Sequence, residues 1–387
     1  MKNNRPATKY GFIDILSYFI LIPFLYPRGF AEISTTYKLF FTIWLWAAVA
    51  IIWIQYLLYA NIMRSKINRR GFALTLYFVL SILLTIIIRG NLSSGLQQML
   101  AAPSLCVFII YNFDKYWHKI LGALLNIFIM LLFLNGVVFK GYFVEYTHVI
   151  FLGHVQVVSQ IGMVAIFVAL LNYMLIKRRK FKSVLLLIMS ILTMFSTDAT
   201  SAVLVSIILI VIGIVYKWRL YHIFCLKSKW YVVFGFLMSI SVIYIATVNN
   251  NYSVFISDPT FSGRRFVWLN AISHITSRPI FGFGIDGVLI TTFWTQWSGG
   301  GFNYAHNQII QNLLDGGIVL CAAFWTMMFT YASYIDNLKH LRYKVLSNAI
   351  LIVLLIVMIF DSTTLYCYMF IFLAILVKLP NIENDRS

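Results

Sequence analysis

A chain of 387 residues with 61% hydrophobic and 17% aromatic residues and a mean hydropathy of +0.86 carries more apolar surface than any water-soluble core needs. That excludes a soluble globular protein and predicts an all-α, polytopic membrane protein. The formal charge of +18 does not indicate nucleic acid, because the basic residues punctuate apolar runs as cytoplasmic loops facing anionic lipid do.

Stretches near the roughly 20 apolar residues needed to cross a bilayer occur at about 11 to 27, 39 to 60, 72 to 89, 96 to 111, 118 to 139, 155 to 176, 183 to 197, 201 to 216, 230 to 248, 317 to 335, 345 to 360 and 362 to 378, twelve expected spans. The basic N-terminus leads into a run that carries Asp14 and has no small-residue cleavage pattern, so it reads as a retained first helix. With the N-terminus inside, 23 of the 30 Lys and Arg fall on inner segments, among them Arg64 to Arg70, Lys177 to Lys182 and Lys339 to Lys344. Both termini are therefore expected in the cytoplasm and residues 249–316 outside. One integral membrane domain, 1–387, with that single large loop, is the expected organisation.

Cys106, Cys225, Cys321 and Cys367 lie in or beside apolar runs without CxxC spacing, so neither a metal site nor a disulfide framework is indicated. Polar residues gather instead in the outer loop. Its three Lys or Arg residues are all arginines, Arg264, Arg265 and Arg278, kept on the side that the topology signal disfavours; this suits either bidentate binding of an anionic ligand or contact with lipid headgroups.

From Ser262 to Ser277 the spacing predicts a helix, ended before Pro279, with Phe266, Leu269, Ile272 and Ile275 on its apolar side. Arg264 and Trp268 are then one turn apart, in reach of a cation–π contact. A second helix is expected from His306 to Asp315, with Ile309, Ile310, Leu313 and Leu314 on one side, Asn307, Gln308, Gln311, Asn312 and Asp315 on the other, and Gly316-Gly317 as its end. His306 is expected on the apolar side, where a neutral imidazole suits a general base and a packed, hydrogen-bonded histidine is the plainer reading. Gly282 to Gly287 formally match GxGxxG, but no strand precedes them, so they read as a tight turn rather than a dinucleotide site.

In order, these motifs are Gly263-Arg264-x-x-x-Trp268, Pro279-x-x-Gly282-x-Gly284, His306-Asn307 and Gly316-Gly317-Ile318 ahead of an apolar span. The series resembles the O-antigen ligase and oligosaccharide repeat-unit polymerase family. The resemblance implies a GT-C-like glycosyltransferase on the outer face of a bacterial plasma membrane, with an undecaprenyl-diphosphate-linked oligosaccharide as donor and as acceptor, membrane lipid around it, other polysaccharide-assembly proteins as partners, and no cofactor or metal. It also implies that Arg264 binds diphosphate, that His306 deprotonates the acceptor hydroxyl, and that Trp268 and Asn307 help to bind substrate. Family members often carry a second arginine in a Ser-Arg motif; the matching stretch here, Ser196 to Ser201, has none, leaving Arg265, Arg278 and Arg89 as replacements. A polymerase is the expected activity and a glycan ligase its nearest alternative. A lipid-linked glycan flippase also suits twelve spans, although transporters concentrate polar groups at the membrane midplane rather than in one outer loop.

Overall fold

The computed structural model describes residues 11–60, 72–89, 96–143, 145, 148–197, 199–217, 226–248, 263–292, 301–302 and 304–384. Helices dominate: α1 (Phe12–Phe24), α2 (Gly29–Ile33), α3 (Thr35–Ala60), α4 (Phe72–Arg89), α5 (Leu96–Phe133), α6 (Val157–Leu175), α7 (Lys180–Phe195), α8 (Thr200–Lys217), α9 (Ser228–Val248), α10 (Arg264–Ser277), α11 (Gln308–Asp336), α12 (Leu341–Phe360) and α13 (Tyr368–Asn384). One two-residue hairpin, β1 (Val149–Ile150) with β2 (Gly153–His154), precedes α6. Among the described residues six helices are long and apolar enough to cross a membrane, and four more apolar helices, in α1, α4, α8 and α13, are shorter. Many large apolar side chains are exposed on α3, α4 and α9, including Leu57, Ile87 and Phe234, as lipid-facing helices require and soluble ones avoid.

The described helices do not by themselves establish twelve separate spans. The runs at 96–111 and 118–139 are two helices that meet within α5 at a kink at Tyr116 (φ −125°, ψ 21°), and the second continues into a π-helical turn at Leu134–Val138.

The helices fall into two compact units. The first comprises Met1–Arg64, Ser104–Ser206 and Phe370–Ser387. At its centre lies α6, apolar on all sides and buried along almost its whole length. Polar contacts collect at one end of this unit. Lys119 pairs with Asp14 at 3.0 Å, Lys378 and Asn381 both bond Asp114, and the Arg179 guanidinium donates to the carbonyl of His118 at 2.6 Å. The start of α1, the bend of α5, the turn before α7 and the end of α13 thus share one end, as segments on one side of a membrane must.

The second unit comprises Ser65–Pro103 and Ile207–Met369, and α11 is its hub, packed by α4, α9, α10 and α12. The expected stop at Gly316-Gly317 is a break inside α11: Gly316 (φ −156°, ψ 20°) and Gly317 (φ 62°, ψ −159°) are non-helical, after which the helix resumes. An interrupted helix must find other partners for its backbone, and here the segment 279–284 supplies them. Phe283 N–H donates to Leu314 C=O at 2.7 Å and Gly284 N–H to Asp315 C=O at 2.9 Å, while Ile318 N–H donates to Pro279 C=O at 2.9 Å and Val319 N–H to Ile280 C=O at 3.3 Å. The approach is so close that a Cβ on Gly282 would lie 2.5 Å from the Leu314 oxygen, and one on Gly317 2.2 Å from the Ile280 carbonyl carbon. The two glycine motifs are therefore two halves of one backbone joint.

Candidate functional site

The joint sets α10 against α9 and α11. Gly263, left-handed at φ 82°, starts the helix, and it ends at Ser277 as Pro279 demands. Its buried residues are Val267, Trp268 and Ala271, with Ile275 packed beside them, whereas Phe266 and Leu269 are exposed. The apolar side is thus turned from the one expected. Both stripes fit a 3.6-residue period, and on a membrane-associated helix the outward stripe is apolar too, so periodicity alone does not choose between them. Trp268 is 0% exposed at the centre of a cluster with Ala246, Val267, Ala271, Ile290, Ala305, Ile310 and Leu314, and its indole N–H donates to the Ala305 carbonyl at 2.8 Å. In this buried position Trp268 holds the peptide that precedes His306.

His306 is not on the helix. Asn307 is the N-cap of α11, and His306 precedes it in the left-handed region at φ 51°, a conformation that costs a non-glycine residue roughly 1–2 kcal/mol. The residue is only 8% exposed. Its ring lies 4.4 Å from that of Tyr304 between centroids, at 72°, and 6.1 Å from that of Phe302.

The peptides on both sides of His306 are fixed. Before it, Ala305 gives its carbonyl to Trp268 and its N–H to the Gln311 side chain at 2.9 Å. After it, Asn307 accepts from the amides of Ile309 and Ile310 at 2.9 and 3.2 Å and donates to Ser239 Oγ and the Ile359 carbonyl, each at 3.0 Å. Fully buried and bonded through both side-chain atoms, Asn307 fixes the backbone that follows His306.

The polar side of α11 is buried as well. Gln308 and Gln311 face the turn after α12, and the buried Asn312 accepts from Gln308 at 3.0 Å. There Ser362 donates to Gln311 at 3.3 Å, Thr363 to Gln308 at 3.0 Å, and the Thr364 amide to Gln308 at 3.1 Å, while Gln311 donates to Asp315 at 2.9 Å. This network carries Asp361, itself buried, with a carboxylate oxygen accepting the Ser362 amide at 2.8 Å.

Arg264 opens α10 and is half-buried. Burial pushes its guanidinium down from the ordinary arginine value, and the Asp361 carboxylate and then the Tyr304 phenol pull it back up. Arg264, Asp361, Tyr304 and His306 therefore form one constellation within the second unit, drawn from α10, the turn after α12 and the approach to α11. Arg265 is the next residue in the first turn of α10, about 100° further round the axis. A helix N-terminus opened by Gly263, which brings no capping side chain, and carrying two arginines is suited to an anion. Among the described residues no group of His, Cys, Asp and Glu is arranged to hold a metal ion.

Of the remaining arginines, Arg278 lies past the other end of α10, about 21 Å along the axis from Arg264 at 1.5 Å per residue, with its guanidinium 4.9 Å from the centre of the Phe283 ring. It is not brought to the constellation. Arg89 ends α4, but its side chain lies outside the described residues, as do Ser262 and Asp198. Sequence reasoning missed Asp361, Tyr304 and Gln311. A signal for Asp361 was present: it is the only acidic residue between Asp336 and Glu383, placed where an apolar run ends in Ser-Thr-Thr.

Residues 184–325 match the family described as O-antigen ligase, a range that holds Arg264, Trp268, both glycine motifs, His306 and Asn307 and ends before Asp361. No curated protein matches the chain. The match supports an activity of the O-antigen ligase or polymerase kind in a helical membrane protein.

Proposed function

We propose that this chain, with an O-antigen ligase region at its centre, is a polysaccharide polymerase that joins undecaprenyl-diphosphate-linked oligosaccharide repeat units on the outer face of the plasma membrane. The observation that carries the reading is the placement of His306 beside Tyr304, in a site where Arg264 responds electrostatically to Tyr304 and Asp361. One group there can take a proton, and another can neutralise a leaving diphosphate.

In the proposed reaction His306 accepts the proton of an acceptor sugar hydroxyl, and that oxygen bonds to the anomeric carbon of the donor glycan. The bond from that carbon to the diphosphate oxygen breaks, and the electron pair leaves with the lipid diphosphate. Arg264, aided by Arg265 and the amide groups opening α10, neutralises the charge that develops there; removing such a preorganised donor from an active site typically costs about 10²–10³ in rate. A positioned base contributes a further ~10²–10⁴. The diphosphate linkage is already activated, so the scheme needs no nucleotide.

The test is the glycan profile of a strain lacking the chain. Single repeat units accumulating on the lipid carrier are expected. Long chains accumulating unattached to their final acceptor would identify a ligase instead, and an unchanged profile would remove both readings.

A further inference from the structure

The backbone joint has an outward side that catalysis does not use. Between the carbonyls of Pro279 and Ile280, which accept from α11, and Gly282, whose N–H donates to the Arg278 carbonyl at 3.1 Å, the chain is fully tied down. Yet the side chains it presents are apolar and open: Ile280 is 55% exposed and Phe281 54%. Their orientation is fixed, because Gly282 is pressed against the Leu314 oxygen so closely that the chain cannot roll inward.

What covers them follows from what they are bonded to. Ile318 and Val319 belong to α11, long and apolar enough to span a membrane, and Ile318 is itself 58% exposed. The other neighbour of the break is α4, whose Leu84 lies 2.9 Å from the Cβ position of Gly316 and whose Leu83 and Ile87 are also exposed. Segment 279–281 therefore lies at the height of lipid-facing residues on α11, within the apolar surface that a spanning helix presents to acyl chains. A water-facing loop gains nothing from two rigidly displayed apolar side chains at that height, whereas in hydrocarbon they are favourable. Next to them the exposed Arg278 stands over Phe283, as a cation does where acyl chains give way to phosphate headgroups.

We propose that Ile280 and Phe281 are inserted into the acyl region of the proximal membrane leaflet, with Arg278 in its headgroup layer, so that bulk lipid is the partner of this surface. The tip holds the C-terminal end of α10 at a set depth and so fixes the height at which Arg264, at the other end, is presented. Arg278 is then a membrane anchor and not an arm of a diphosphate clamp.

The test places a nitroxide on Ile280→Cys, Phe281→Cys and Ile318→Cys, each in the full chain with its four native cysteines replaced by alanine, in vesicles of phosphatidylethanolamine and phosphatidylglycerol. Collisions with oxygen, which concentrates in hydrocarbon, are compared with those of a water-soluble nickel chelate. Labels at 280 and 281 are expected to favour oxygen as strongly as the label at 318. Preference for the chelate would place the tip in water, and protection from both would mean that protein covers it; either result overturns the proposal. A photoreactive benzoylphenylalanine at position 281, in the otherwise unaltered chain, provides a second measurement: lipid adducts support insertion, and adducts only to protein refute it.

Discussion

Replacing His306 by glycine and by alanine separates its backbone from its ring. Both variants lose the imidazole and its contacts with Tyr304 and Phe302, so those losses cancel in the comparison. What remains is a residue held at φ 51°. An L-residue pays roughly 1–2 kcal/mol in the left-handed region and glycine pays nothing, while alanine ordinarily gains ~0.4–1 kcal/mol over glycine through the unfolded chain. The difference predicts His306→Gly to be about 1 kcal/mol more stable than His306→Ala, a reversal of the usual order. Unfolding titrations of the two proteins in mixed micelles measure it. Activity on lipid-linked repeat units falls in both variants, by ~10²–10⁴ if His306 is the base, and added imidazole restores more in the glycine variant because its site is wider. Alanine equal to or more stable than glycine would mean that residue 306 is not held left-handed and that the placement of the ring is wrong. Retained activity in both variants would remove His306 from the mechanism while leaving the stability result standing.

Gln311→Leu removes the acceptor of the buried Ala305 amide and Trp268→Phe the donor to its carbonyl, so each should cost ~1–3 kcal/mol and lower kcat with little change in KM, as steady-state kinetics will report. Arg264→Lys keeps the charge but not the planar fork of donors, and should lower polymer length nearly as far as Arg264→Ala; full-length polymer from the lysine variant would reduce Arg264 to a surface cation. Gly317→Ala forces a Cβ against the Ile280 carbonyl at positive φ and should cost more than ~3 kcal/mol, lowering the amount of protein in the membrane, whereas Gly213→Ala, with open space around it, should be neutral or stabilise α8 by ~0.5–1 kcal/mol. On intact cells a membrane-impermeant thiol reagent should label Leu289→Cys and spare Arg178→Cys, both exposed positions; the reverse pattern would invert the orientation.

Much of the loop could be read from its punctuation. Gly263 and Pro279 bound α10, and Gly316-Gly317 mark the break in α11, because glycine and proline act on the backbone of the residue that carries them and need no knowledge of the tertiary fold. Which face of α10 turns inward was not legible, since Phe266 and Leu269 are as apolar as the Val267, Trp268 and Ala271 that win, and the choice is made by Ala305 and Ile310 across the interface. His306 was placed on a helix because its spacing to Ile309, Ile310 and Leu313 fits one. It lies outside because the Asn307 side chain takes the first amides and caps the helix one residue later. Asp361 stayed hidden for a related reason: its importance comes from meeting Arg264, far away in the chain, which no local spacing encodes.

The antiparallel bridge between Ile290 and Phe302, with both of its hydrogen bonds at 2.8 Å, makes the chain leave and return at one point. The described bonds that fix the backbone around His306, from Trp268, Gln311 and Asn307, lie outside that neck. Because lengthening a closed stretch of chain costs only ~0.6 kcal/mol per doubling of its length, the bridge lets the approach to Tyr304 and His306 keep its geometry when the sequence between Ile290 and Phe302 grows.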